Sequence, residues 1–107
     1  KGSHTYIEGM AIKVTNVSAD TTLDLSVGWV TCSNQNKIRV YLPLNPPIGK
    51  IVYLMRTAKQ VDVDGNGIAI SFKGSIISVL GITNRAEINF FLYDGTYWMN
   101  GWFNGTV

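Results

Sequence analysis

Hydrophobic and polar residues alternate with a period of two in several stretches of this chain. In a β-strand, successive side chains point to opposite faces, so this alternation predicts strands with one buried face. We expect the apolar positions of each stretch to face a core. Those positions are Met10, Ile12 and Val14 in the first stretch, Ile38, Val40 and Leu42 in the second, and Ala86, Ile88, Phe90 and Leu92 in the third.

Two further stretches, residues 50–57 and 75–83, are apolar at nearly every position. A strand with two apolar faces is typically covered on both sides. We therefore expect these stretches to be central strands, or strands covered on one side by a neighbouring subunit.

Turn-forming residues separate the apolar stretches. Residues 33–36 form a polar segment, 64–67 predict a tight turn, and Asp94-Gly95 predicts a hairpin. The prolines within residues 42–47 lack an amide donor, so this segment is an edge crossing or a connection between sheets. No window shows helical periodicity. About nine short strands at roughly ten-residue spacing predict an all-β fold, an antiparallel β-sandwich or jelly-roll-like domain.

Composition limits the classes of function. The 107 residues suit one domain, which we place at residues 5–107, with residues 1–4 a tag remnant or linker. Only 15% of residues are charged, below the ~25% usual in soluble domains, so we expect other chains to cover part of the surface. The net charge is +2 without a basic run, and no apolar stretch approaches ~20 residues. Neither nucleic-acid binding nor membrane insertion is expected.

The residue types that catalysis most often needs are scarce. The chain has one histidine, His4, and one cysteine, Cys32, which makes an internal disulfide impossible. Nucleophilic triads need an imidazole base, and zinc sites are built largely from histidine and cysteine. We expect a domain that is not an enzyme and has no cofactor and no metal site, with Cys32 a small buried hydrophobe on a strand.

The segment at residues 62–67 has two interpretations. Asp62, Asp64 and Asn66 match the first half of a calcium-binding loop, but the twelfth position is Lys73 instead of a bidentate glutamate. The flanking residues are strand-like. Aspartate, asparagine and glycine also tolerate the positive φ of a tight turn, and this pattern favours the turn.

The densest group of aromatic residues lies near the C-terminus. Aromatic faces can stack on sugar rings beside amide groups that bind hydroxyls, they are enriched in protein interfaces, and they fill cores. All three roles remain open for the candidate ligand or interface residues, which are Tyr93, Tyr97, Trp98, Asn100 and Trp102.

Four segments, taken in order, resemble a domain common in bacteriophage tail-fibre and tailspike proteins. They are residues 20–25, 42–54, 63–68 and 88–98, so the resemblance covers about residues 20–103. It implies a homotrimeric virion protein at the tail or fibre tip, which contributes trimer stability, attachment to host-surface glycans or proteins, or both. The family pattern carries no catalytic residues.

The sequence therefore favours a non-catalytic domain of a phage adsorption apparatus that trimerises, with a host-surface glycan as a candidate ligand. Two alternatives remain open: a purely structural capsid-decorating or capping module, and a carbohydrate-binding module of an enzyme. A monomer would favour the carbohydrate-binding module, and a stable trimer that binds no glycan would favour the structural module.

Overall fold

Two β-sheets contain all the strands of residues 12–103, the part of the chain that the computed structural model describes. Residues 1–4 and the predicted strand positions Met10 and Ala11 lie outside that part. The strands are β1 (Lys13–Val17), β2 (Thr21–Thr22), β3 (Val27–Cys32), β4 (Ile38–Tyr41), β5 (Ile51–Arg56), β6 (Val61–Asp64), β7 (Ile70–Phe72), β8 (Ser75–Ile77), β9 (Val79–Ile82), β10 (Ile88–Tyr93) and β11 (Trp98–Phe103). The seven-stranded sheet has the order β1-β3-β5-β10-β11-β7-β8, and the four-stranded sheet has the order β2-β4-β6-β9.

Both sheets are mixed, so the expected antiparallel arrangement is wrong for the first half of the chain. Strands β1, β3 and β5 run parallel in one sheet, and β2, β4 and β6 run parallel in the other. Parallel neighbours cannot be joined by a tight hairpin and need a crossover. Here a strand of the opposite sheet is the crossover, because the chain changes sheets after each strand from β1 to β6. Only from β7 onward do hairpins and antiparallel pairs predominate.

The core lies between the two sheets, an arrangement compatible with a β-sandwich. Alternate residues of strands in both sheets point into it, and the prediction that Ile38, Val40 and Leu42 face the core is confirmed. The interior is apolar and closely filled. Its fully buried side chains include Val30, Val52, Leu54, Phe91 and Trp98 from the larger sheet and Val40, Val61 and Val63 from the smaller.

Two predicted core faces point the other way. Val14 is 61% exposed on β1, and on β10 the residues facing the core are Asn89, Phe91 and Tyr93 instead of Ile88, Phe90 and Leu92. Both faces of β10 carry large apolar side chains, so alternation alone cannot say which one faces the second sheet. The register with β5 determines the orientation: Phe91 pairs with Val52, whose side chain is buried in the core, so Phe91 faces the core as well.

The two stretches that are apolar on both faces, residues 50–57 and 75–83, occupy different positions in the sheets. β5 is a central strand between β3 and β10, as predicted. Residues 75–83 are not one central strand: the chain changes sheets at Ser78, and β8 and β9 are edge strands of different sheets. Both strands are short, with three residues in β8 and four in β9.

The predicted turns are present. Residues 42–50 connect β4 of one sheet to β5 of the other, and residues 94–97 close the β10–β11 hairpin. In the turn at 64–67, Asn66 and Gly67 have φ angles of 56° and 96°, and the Asp64 carboxylate accepts a hydrogen bond from the Asn66 amide at 2.8 Å. No helix among the described residues could span a membrane.

Candidate assembly face and binding cleft

The outer face of the seven-stranded sheet, which we call the aromatic face, is uncharged across its middle, and Lys13 and Lys50 lie at its edge beside Ile51 and Tyr53. The strand registers place fifteen outward positions on it. Those positions are Val14, Asn16, Trp29, Thr31, Ile51, Tyr53, Met55, Ser71, Ile76, Ile88, Phe90, Leu92, Met99, Gly101 and Phe103. Eleven of the fifteen are apolar or aromatic, and none carries a charge.

A continuous series of rings crosses the middle of the aromatic face. Trp29 stacks on Tyr53 with ring centroids 6.0 Å apart, and Phe90 follows at 6.4 Å from Tyr53. Phe103 lies 5.7 Å from Phe90. Trp29, Tyr53 and Phe90 are partly buried and Phe103 is 54% exposed, because the rings pack against one another while no element among residues 12–103 covers this face. Large apolar patches of this kind usually mark an interface.

The outer face of the four-stranded sheet is charged instead. Asp62 Oδ2 lies 3.4 Å from Lys37 Nζ and 3.9 Å from Arg39 Nη2, and Asp64 Oδ2 lies 3.3 Å from Arg39 Nη1. The two carboxylates considered as calcium ligands thus face cationic side chains. Among residues 12–103 no cluster of three or more histidine, cysteine, aspartate or glutamate side chains could hold a metal ion.

A cleft of about 170 Å³ lies on the inner side of the seven-stranded sheet, beside the edge strand β9. Asn89 of β10 and Trp102 of β11 are directly opposite each other in the strand register, and both line the cleft. Trp102 is 41% exposed although it points inward. The four-stranded sheet therefore ends before it covers this part of the larger sheet. The side chains that give the cleft its chemistry are Phe72, Lys73, Asn84, Glu87, Asn89 and Trp102.

Lys73 reaches the cleft from the two-residue turn between β7 and β8. Its ammonium nitrogen lies 5.1 Å from the Trp102 ring centroid and 5.3 Å from that of Phe72. Lys73 has a φ of 49° and Gly74 a φ of 83°, so both central residues are left-handed. Such turns favour asparagine followed by glycine, and a lysine at the first position is unusual.

The structure separates the five aromatic and amide residues that the sequence analysis singled out. Trp98 is fully buried in the core, and Tyr93 packs against it at 5.6 Å, so of the three roles left open for Trp98 the structure selects the core. Tyr97 lies at the end of the β10–β11 turn. Asn100 points inward and donates to Asn89 Oδ1 at 3.3 Å. Only Trp102 combines a large exposed ring with a cleft.

Sequence reasoning missed Lys73 and Asn89 in the cleft and most of the aromatic face. Asn89 sits in an apolar strand at a position that the alternation assigned to solvent. The sequence did hold one indication of a special role for Asn89, because it is a polar residue between the large apolar residues Ile88 and Phe90. Lys73-Gly74 gave the turn signal only weakly, because lysine is not a typical residue for positive φ.

Cys32 is confirmed as a buried strand residue, fully enclosed on β3. Burial raises the pKa of its thiol to about 12, because a thiolate would lose its hydration there. At neutral pH the group is therefore protonated and inaccessible, the opposite of an activated nucleophile.

No known family model matches this chain, and no curated protein is significantly similar to it in sequence. The class that the structure defines is a two-sheet, all-β domain with one apolar outer face, one charged outer face and a small polar cleft.

Proposed function

We propose that this chain is a non-catalytic module that associates with copies of itself through the aromatic face. The carrying observation is the contrast between the two outer faces. Charged side chains occupy the outer face of the four-stranded sheet, whereas the fifteen outward strand positions of the seven-stranded sheet include none. A sheet face left in water is normally polar, so an uncharged face with four adjacent aromatic rings is suited to contact with protein.

The aromatic face is large enough for burial of its surface to offset most of the cost of association. Strands β1, β3, β5, β10 and β11 have five or six residues each. At about 4.8 Å between strands and 3.3 Å per residue, they cover roughly 460 Å² in projection. Burying that area gains about 12 kcal/mol per chain at 25 cal/mol per Å². This gain is comparable to the ~4–15 kcal/mol that association costs in lost translational and rotational freedom. The accessible area is larger than the projected area, because side chains protrude from the sheet.

We propose that two further copies of the chain contact the aromatic face, in a homotrimer at the tail or fibre tip of a phage virion. The order of the four segments that resemble tail-fibre and tailspike domains supports the trimer and the location. Three sheets arranged around a threefold axis would each turn the aromatic face inward and leave the charged faces in solvent.

The test is the oligomeric state of a variant that charges the aromatic face. Val14 and Met99 lie on opposite flanks of the ring series and are 61% and 37% exposed, so a glutamate at each can be solvated in the monomer. We expect the native chain to scatter light as about three times 11.8 kDa, and Val14→Glu/Met99→Glu to be a folded monomer.

Leu44→Glu is the matched control, because Leu44 is an exposed apolar residue outside the aromatic face. It should leave the assembly intact. A native chain that is monomeric at micromolar concentration would overturn the proposal and favour the monomeric carbohydrate-binding module. Retention of the assembly in the double variant would exclude the aromatic face as the contact.

A further inference from the structure

We propose that the cleft beside β9 binds one neutral sugar ring, with Trp102 as its stacking platform. The cleft lies on the inner side of the seven-stranded sheet, opposite to the aromatic face. This inference is therefore independent of self-association, and either can fail without the other.

Trp102 supplies an apolar surface of the right kind. Its ring is 41% exposed and packs against Phe72 with centroids 6.0 Å apart, so it is held in place while part of its surface stays open. Small-molecule sites combine such aromatic walls with a few placed polar groups. The axial C–H groups of a sugar offer an apolar patch that matches an indole ring.

Asn89 supplies a hydrogen-bond donor that lacks a partner. The residue is only 3% exposed, and its Oδ1 accepts a hydrogen bond from Asn100 Nδ2. Its Nδ2 is buried and has no hydrogen-bond partner among residues 12–103. Leaving a buried donor unsatisfied is costly, and such groups in a native structure call for a specific explanation. The donor is closed off from the cleft that Asn89 lines, so a ligand hydroxyl would satisfy it once the surrounding side chains move apart.

Lys73 is held over the cleft by a strained backbone. Its φ of 49° is unfavourable for lysine, yet this conformation places the ammonium group over the Trp102 ring, so a sugar would stack on the part of the indole that Lys73 leaves open. Strained backbone of this type occurs disproportionately where a side chain is positioned for a ligand. On the opposite wall, Asn84 Nδ2 donates to Glu87 Oε2 at 3.4 Å.

The polar groups specify a neutral ligand with hydroxyls. Lys73 and Glu87 bring one positive and one negative charge to the same cleft, so an anion such as a phosphate gains no net attraction. Ammonium and amide N–H groups donate, whereas the carboxylate accepts. A hydroxyl both donates and accepts, and several hydroxyls around one ring fit this mixed set.

The test is a nuclear magnetic resonance titration of the full chain with free monosaccharides of different stereochemistry, at millimolar concentration. We expect at least one sugar to shift the Asn89 side-chain amide and the Trp102 indole N–H. The Trp29 indole, which donates to Thr31 Oγ1 on the aromatic face, should not move. Titration of Val14→Glu/Met99→Glu should give the same dissociation constant per chain.

Two variants make the result specific. Trp102→Ala should remove the response, and Lys73→Asn should weaken binding at least tenfold while the melting temperature stays equal or rises, because asparagine suits the turn. The absence of shifts with every sugar, a response to inorganic phosphate alone, or unchanged binding by Trp102→Ala would each overturn the proposal.

Discussion

Trp98 and Trp102 stand four residues apart on the same strand and on the same face, yet their surroundings differ. Trp98 is enclosed by the core, whereas Trp102 lies where the second sheet has ended. The sequence places both rings on one side of β11. What separates them is the width of the opposite sheet, which no local pattern encodes.

At the same scale, Asp94 fixes the turn between β10 and β11. Its Oδ1 accepts hydrogen bonds from the amides of Tyr97 and Thr96, each at 2.8 Å, and these bonds hold the pKa of the carboxyl below its ordinary value of 3.8. A carboxyl whose pKa is lower in the folded state stabilises the fold above its unfolded pKa. That contribution is lost as the pH falls through the folded pKa.

We therefore predict that the urea midpoint of the native chain falls between about pH 5 and about pH 2. Asp94→Asn keeps the acceptor oxygen and removes the titration, so its midpoint should fall less over the same range. Asp24, whose pKa is lowered by hydrogen bonds from Ser26, supplies part of the remaining decline. An identical decline in the native chain and in Asp94→Asn would contradict this role for Asp94.

At the scale of the element, the β10–β11 pair depends on one glycine. Phe90 and Gly101 are directly opposite in the register, and a Cβ atom built on Gly101 would lie 2.2 Å from Phe90 Cζ. The ring of Phe90 thus covers the glycine and continues the series of aromatic side chains towards Phe103. A glycine in a strand often marks such a close approach.

Gly101→Ala should displace the Phe90 ring and lower the free energy of unfolding by about 1–3 kcal/mol in urea titrations. Gly81→Ala is the matched control, because Gly81 is also in a strand and its added Cβ would meet the flexible end of Gln60 at 3.1 Å. It should change stability little. Equal stability of Gly101→Ala and the native chain would show that the ring does not lie over the glycine.

At the scale of the whole molecule, the two outer faces divide the surface by chemistry. The charged groups concentrate around Asp62 on the smaller sheet, and the aromatic rings spread across the larger one. This division explains the low overall charge of the chain, because one broad face does not need charge if it is covered by other copies. It also predicts how salt acts on the assembly.

Association through the aromatic face should persist in 1 M sodium chloride, where the Debye length is about 3 Å and surface ion pairs are screened. Sedimentation at low and high salt measures this directly. Dissociation at high salt would instead implicate the ion pairs of Lys37 and Arg39 on the four-stranded sheet.

The all-β class, the turns at 64–67 and at Asp94-Gly95, the end of strand pairing at residues 42–47 and the buried face of β4 were all predictable from the sequence. Each depends on residues close together in the chain: alternation, turn chemistry, and the missing amide of proline. Parallel pairing, the outward direction of Phe90 and Val14, and the cleft at Asn89 were not predictable. These features depend on which strands meet across the two sheets. Because both faces of β10 are apolar, only that pairing decided which face became the core and which remained available for assembly.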